Sequence, residues 1–183
     1  MERAQARGEE ITVRHITLLG MMGAGKSSVG RELSQLLRRP FYDSDFEIER
    51  STRMTIPDIF AKRGEPWFRD REAQIIADIV EETQPVVLSI GGGAFVRDTT
   101  RALLLRDTIT VYLRATLPSL LARLHGGHGR PLLSSSEDLT TRLTTLMETR
   151  GPLYSQAALL IDTDDAQPRE VARRVAVAVQ ALR

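Results

Sequence analysis

The sequence predicts an α/β protein, with helices layered on both sides of a central, mostly parallel sheet of about five strands. Three observations carry that expectation. Short apolar runs alternate with segments of helical spacing almost throughout, and no internal repeat interrupts them. Residues 85–93, PVVLSIGGG, form a continuous apolar run ending in three glycines, as suits a strand covered on both faces. Residues 18–30, LLGMMGAGKSSVG, set a glycine-rich turn between a strand pattern and a helix pattern.

Residues 11–20, ITVRHITLLG, are apolar and β-branched and end at Gly20, a strand signature. Residues 26–39 space Val29, Leu33, Leu36 and Leu37 along one helical face, and Pro40 stops the helix. PFYDSD, residues 40–45, is a second short strand that brings Asp43 and Asp45 to its C-terminal end. Residues 46–83 read as several helices, broken around Pro57 and around Gly64 to Pro66. The last of them carries Ile75, Ile76, Ile79 and Val80 on one face. After the buried run at 85–93 come a helix (TTRALLLRD, 99–107), a strand (TITVYLRA, 108–115) and a helix (LPSLLARLH, 117–125). Residues 126–138, GGHGRPLLSSSED, have the glycine, proline and serine content of a mobile loop. Residues 139–154 are helical until Gly151 and Pro152; AALLIDTDD, 157–165, is the last strand. A closing helix follows, with Pro168 at its start.

At 183 residues, one domain able to bury its own core is the simplest expectation. The absence of cysteine excludes disulfides, thiolate nucleophiles and Cys-based zinc sites. His125 and His128 read as solvated loop histidines rather than zinc ligands. A net charge of +1 argues against a general nucleic-acid binder. The first fifteen residues mix charges without an apolar segment, unlike a secretory signal. No apolar run approaches the roughly 18 residues needed to span a bilayer.

Gly20, four residues, Gly25, Lys26 and Ser27 match the phosphate-binding pattern G-x-x-x-x-G-K-[ST] in the required strand-to-helix context. Such a loop turns backbone N–H groups inward around an anion, and the helix behind it offers its positive end. Gly23, Ala24, Gly25, Lys26, Ser27 and Ser28 are therefore the nucleotide-binding candidates. Lys26 should reach the β- and γ-phosphates and the Ser27 hydroxyl should hold Mg²⁺. Lys26 and Lys62 are the only lysines, which makes a lysine in this loop less incidental.

The loop does not say where a phosphoryl group goes. The guanine signature N-K-x-D is absent and there is no room for a motor domain, so a kinase acting on a small molecule is favoured. Three clusters bear on the acceptor. DSD at 43–45 puts two carboxylates on one strand face, for metal and substrate, or else two caps. GEPWFRDRE at 64–72 sets Arg69 beside aromatics, for a ligand or as a helix salt-bridge pattern. SIGGGA at 89–94 is either a tight turn or a place where only backbone fits beside a ligand.

Read in order, these clusters resemble the shikimate kinase family. The matching stretches are GMMGAGKSSVGREL, PFYDSDFEIE, TIPDIF, GEPWFRDRE, SIGGGA, VYLRA, GRPLL, RGPLY and IDTDD, spread over residues 16–165. The resemblance implies a three-layer P-loop kinase fold with a mobile lid at about residues 125–138, and a cytoplasmic enzyme of aromatic amino-acid biosynthesis. The implied reaction is transfer from ATP, with Mg²⁺, to the 3-hydroxyl of shikimate. Asp45 would orient the attacking hydroxyl and accept its proton; Arg69 and Arg150 would clamp the carboxylate; Gly91, Gly92 and Gly93 would line the ring. Asp43 would support Mg²⁺ beside Ser27, Arg130 would close over the phosphates, and Arg123 with Pro168 would flank the adenine. Lys26, Asp45 and Arg130 are thus the expected catalytic residues. A bidentate guanidinium fixes a carboxylate's orientation, the reason for arginine at 69 and 150. Glu72, one turn after Arg69, is placed to hold it.

Residues 1–10 lie outside the resemblance and are expected to be disordered, and a monomer without an obligate partner is expected. Two departures stand out: Lys-Ser-Ser where Lys-Ser-Thr is usual, and Trp67 at an often small position. The rivals are a gluconate-kinase-like sugar-acid kinase and a non-catalytic nucleotide-binding module. The first is disfavoured by the DSD, FRDRE, GGG and RGPLY set, the second by the absence of any eroded catalytic position.

Overall fold

A computed structural model describes residues 14–125 and 136–182, the side chains of residues 136–138 excepted. The element order is β1 (His15–Leu19), α1 (Lys26–Leu37), β2 (Phe41–Asp43), α2 (Ser44–Thr52), α3 (Ile56–Val80) and β3 (Val87–Ser89). A short 3₁₀ turn (Ala94–Val96) precedes α4 (Asp98–Asp107), β4 (Thr108–Arg114), α5 (Leu117–His125), α6 (Ser136–Tyr154), β5 (Leu159–Asp162) and α7 (Pro168–Gln180). The five strands form one parallel sheet in the order β2-β3-β1-β4-β5.

Burial follows the sheet's position. Thr108–Leu113 in β4 and all of β3 are buried without alternation, which requires helices on both faces. The edge strands β2 and β5 are only partly covered. On one side α1 packs on α7, whose Val171, Ala172, Val175, Ala176 and Val179 form a buried stripe at helical spacing. Register aligns Leu18 of β1 with Ser89 of β3, and Asp43 of β2 with the same Ser89. The C-terminal ends of β1, β2 and β3 therefore lie at one edge. The chain leaves β1 toward β2 and leaves β3 toward β4, so a topological switch point opens there, where α/β sheets bind ligands.

The structure refines three expectations. Strand β2 stops at Asp43, so Asp45 lies in the first turn of α2 rather than on a strand face with Asp43. The Asp43 side chain accepts from the Asp45 and Phe46 N–H groups and starts that helix, which a strand reading of DSD does not contain. Helix α6 continues through Gly151 and Pro152 to Tyr154, because a proline one turn from the end costs little helix beyond it. The break around Pro57 is the gap between α2 and α3, with Pro57 in the first turn of α3. The second falls at Gly64, whose φ of 82° interrupts the helix before Pro66. The expectations for residues 1–10 and for a lid at 125–138 lie outside the described residues, His125 excepted. Among the described residues no helix is long and apolar enough to cross a membrane.

Candidate active site

Strand β1 runs into Gly20, which has a φ of 146° and whose missing Cβ would lie 2.5 Å from the Leu113 carbonyl oxygen. Both the left-handed backbone and the close pass over β4 demand glycine there. The chain then loops through residues 21–25 and enters α1 at Lys26. The Lys26 ammonium folds back over the loop, donating to the carbonyl oxygens of Gly20 at 2.9 Å and Met21 at 3.0 Å. No acidic residue occupies the first turn of α1, so its positive end is left for an anion. Ser27 donates to Asp43 Oδ2 at 2.6 Å, while the other Asp43 oxygen caps α2. One carboxylate thus joins the phosphate loop to the helix bearing Asp45.

The second half of the site is built round the turn after β3. A Cβ on Gly91 would lie 2.9 Å from Asp45 Oδ1 and 2.6 Å from Glu72 Oε1. On Gly92 it would lie 3.3 Å from the Arg150 guanidinium, and on Gly93 2.7 Å from that of Arg69. Three successive glycines therefore each face one of the three side chains expected to hold the acceptor. Either Gly91 or Gly93 would collide with one of them if it carried a side chain. Among the described residues no backbone carbonyl accepts from the Gly92 or Gly93 N–H group.

Glu72 sits beneath these groups at 2 % exposure. Its Oε2 accepts from Arg69 at 2.7 Å, and Oε1 has no hydrogen-bond partner among the described residues. Burial pushes its carboxyl above the ordinary 4.5; Asp45 adds to the rise, and Arg69 and Arg150 oppose it. Arg69 also meets Glu65 at 3.3 Å and lies 5.0 Å from the Phe68 ring centre, so its guanidinium is held on three sides. Trp67 is turned away from this site: its half-exposed ring faces the Arg63 guanidinium at 5.9 Å.

A cavity of about 970 Å³ joins both halves. Its walls include Gly23, Ala24, Gly25, Lys26, Ser27 and Ser28, then Asp43, Asp45 and Arg69, and finally Gly91, Gly92, Gly93, Arg123, Arg150 and Pro168. Every site residue expected from the sequence is there except Arg130, which lies outside the described residues. Arg123 bonds to Thr163, at its hydroxyl (3.1 Å) and its carbonyl oxygen, and reaches the Gly23 carbonyl at 3.4 Å. It therefore ties the phosphate loop to the end of β5. Three groups escaped the sequence reading: Arg142 on the cavity wall, and the buried hydroxyls of Ser44 and Tyr154. The intervals of four linking Arg142, Leu146, Arg150 and Tyr154 were the available signal, hidden by ending the helix at Gly151.

Comparison with known proteins adds the family. A model of the shikimate kinase family matches residues 22–180. A shikimate kinase of Ruegeria pomeroyi is 46% identical over 149 residues, covering 81% of this chain and 75% of that protein. The structure of shikimate kinase from Acinetobacter baumannii in complex with shikimate superposes with a TM-score of 0.86. Its identity is 39%, with 94% of this chain and 96% of that one covered. A gluconokinase from Sinorhizobium meliloti matches with a TM-score of 0.59 at 24% identity over 93% of each chain, a likeness of fold alone.

Proposed function

The chain belongs to the shikimate kinase family, and we infer that its cavity transfers the γ-phosphoryl group of ATP to the 3-hydroxyl of shikimate. The products are shikimate 3-phosphate and ADP, in the synthesis of aromatic amino acids. The transfer is a direct in-line displacement: the shikimate oxygen bonds to the γ-phosphorus as the bond to the β-phosphate oxygen breaks, with no covalent enzyme intermediate. The observation that carries this reading is the convergence of Asp45, Arg150 and Arg69 on Gly91, Gly92 and Gly93, in a cavity shared with the phosphate loop.

Each residue's role follows from its place. Arg69, held by Glu72 on α3, and Arg150 on α6 grip the shikimate carboxylate and fix its orientation. The glycines let the ring lie against backbone. Asp45 orients the attacking hydroxyl and takes its proton, a contribution of about 10² to 10⁴ in rate. The loop amides and Lys26 hold the phosphates, and Lys26 exchanges two loop carbonyls for phosphate oxygens. Positive charge at Lys26 and Arg130 steadies the oxygens of the transferring group and supplies most of the catalysis. Arg123 and Pro168 flank the adenine.

Ser27 and Asp43 fit a magnesium ion: their oxygens approach to 2.6 Å on the cavity wall, and hard oxygen donors suit it. That ion, when bound, supplies charge neutralisation beside the phosphates. The same reading takes the chain as a single domain with a lid at 125–138, working as a cytoplasmic monomer.

The test is the product's regiochemistry. Phosphorus–proton coupling in the shikimate product should place the phosphate on the 3-oxygen. ATP hydrolysis that shikimate leaves unchanged would contradict the reading.

A further inference from the structure

Two buried hydroxyls have no part in that mechanism. Ser44 and Tyr154 are both fully buried, and both are hydrogen-bonded to the glycine turn. Ser44 Oγ accepts from the Gly91 N–H at 2.9 Å. The Tyr154 hydroxyl donates to the Gly92 carbonyl oxygen. The carbonyls of Gly91 and Gly93 are taken within the turn itself, by the N–H groups of Ala94 and Val96. The bonds from Ser44 and Tyr154 therefore tie the turn to α2 and α6.

Both elements carry a side chain that faces the same turn. Ser44 directly precedes Asp45. Tyr154 follows Arg150 by four residues, one helical turn, so the two share a face of α6. A tyrosine hydroxyl both donates and accepts. Here it donates to Gly92, and the nearby Arg150 charge pulls against the burial of the phenol. A Cβ placed on Gly92 would lie 3.3 Å from the Arg150 guanidinium and 3.5 Å from the Tyr154 hydroxyl, so the three groups meet at one point. Burial pushes the phenol up from 10.0, against the pull of Arg150, so it keeps its proton and remains a donor.

We propose that Ser44 and Tyr154 are positioning residues for the acceptor: their hydroxyls pin the Gly91–Gly92 backbone between α2 and α6 and thereby fix Asp45 and Arg150 across the bound ring. Neither touches a reacting atom. The identity of the acceptor rests on the shikimate reading above, whereas the pinning of the turn does not. A site held this way needs no rearrangement of its backbone when the acceptor arrives, which is where preorganisation adds affinity.

Tyr154→Phe keeps the ring among Phe95 and Tyr112 and removes only the hydroxyl. Ser44→Ala removes one oxygen. Each variant should raise KM for shikimate about tenfold, the upper end of the effect of one lost neutral hydrogen bond. KM for ATP should stay within twofold, and kcat should change less than KM for shikimate. A fall in Tm with KM for shikimate unchanged would overturn the proposal, because hydroxyls that only satisfy the core would do that. Hydrogen exchange on the unaltered protein without acceptor serves if a variant fails to fold. The Gly91 amide should exchange about a thousandfold more slowly than an unprotected one. Exchange at the rate of an open loop, slowed only by added shikimate, would equally overturn it. Turnover of shikimate by the unaltered enzyme tests the functional reading separately, since exchange at Gly91 needs no acceptor.

Discussion

Arg69 and Arg150 approach the glycine turn from different elements, α3 and α6, yet their electrostatic settings differ. Arg69 is already paired with Glu72, so its charge is partly spent before any ligand binds. Arg150→Ala should therefore raise KM for shikimate about 10- to 100-fold, the loss of a charge-assisted pair, with KM for ATP within twofold. Steady-state kinetics with each substrate varied checks this, and a collapse of ATP affinity would misplace Arg150. Glu72 gives a pH test. Its folded pKa lies above the unfolded value near 4.5, so the folded state binds its proton more readily and stability declines as pH rises through that window. Glu72→Gln carries no such charge. Its Tm relative to the wild type should climb as pH rises from about 4.5, and a constant or shrinking difference would show that Arg69 outweighs burial. Lys26 and Ser27 were legible as single residues because their motif has a fixed spacing. Glu72 was legible only as a partner of Arg69, because its burial and its unpaired oxygen depend on where α3 packs.

Among elements, α1 carries the most constrained junction. Gly30 faces β2 so closely that a Cβ would lie 2.3 Å from a ring carbon of Phe41. Alanine would favour the helix by about 1 kcal/mol, whereas overpacking costs about 1–3 kcal/mol. Gly30→Ala should thus lower stability in denaturant unfolding, and adding Phe41→Leu should recover part of the loss; an increase in stability would mean that the ring moves aside freely. Hydrophobic spacing was enough to locate strands and helices, since burial of one face is a local pattern. It was not enough at element ends. Asp43 ends a strand and caps a helix at once, so the alternation that put Asp43 and Asp45 on one face had already stopped. Helix α6 passes through Gly151 and Pro152 because both sit where little helix remains to be lost, a matter of position rather than residue type.

At the scale of the molecule, the parallel sheet and its switch point explain why a phosphate loop and an acceptor pocket share one cavity, but not which acceptor is used. A sugar-acid kinase has a similar fold, so fold alone is silent on the choice. The choice lies in the order of clusters along the chain, each ambiguous alone, which the sheet gathers at the ends of β1, β2 and β3. The most direct measurement is ADP release in a coupled assay with shikimate, gluconate and nucleoside monophosphates as alternative acceptors. Shikimate should give a kcat/KM at least about 10³-fold above the others, because the proposed roles of both arginines and Asp45 require a carboxylate and hydroxyls held on one rigid ring. Equal or greater turnover of gluconate, or ADP release independent of every acceptor, would contradict the assignment.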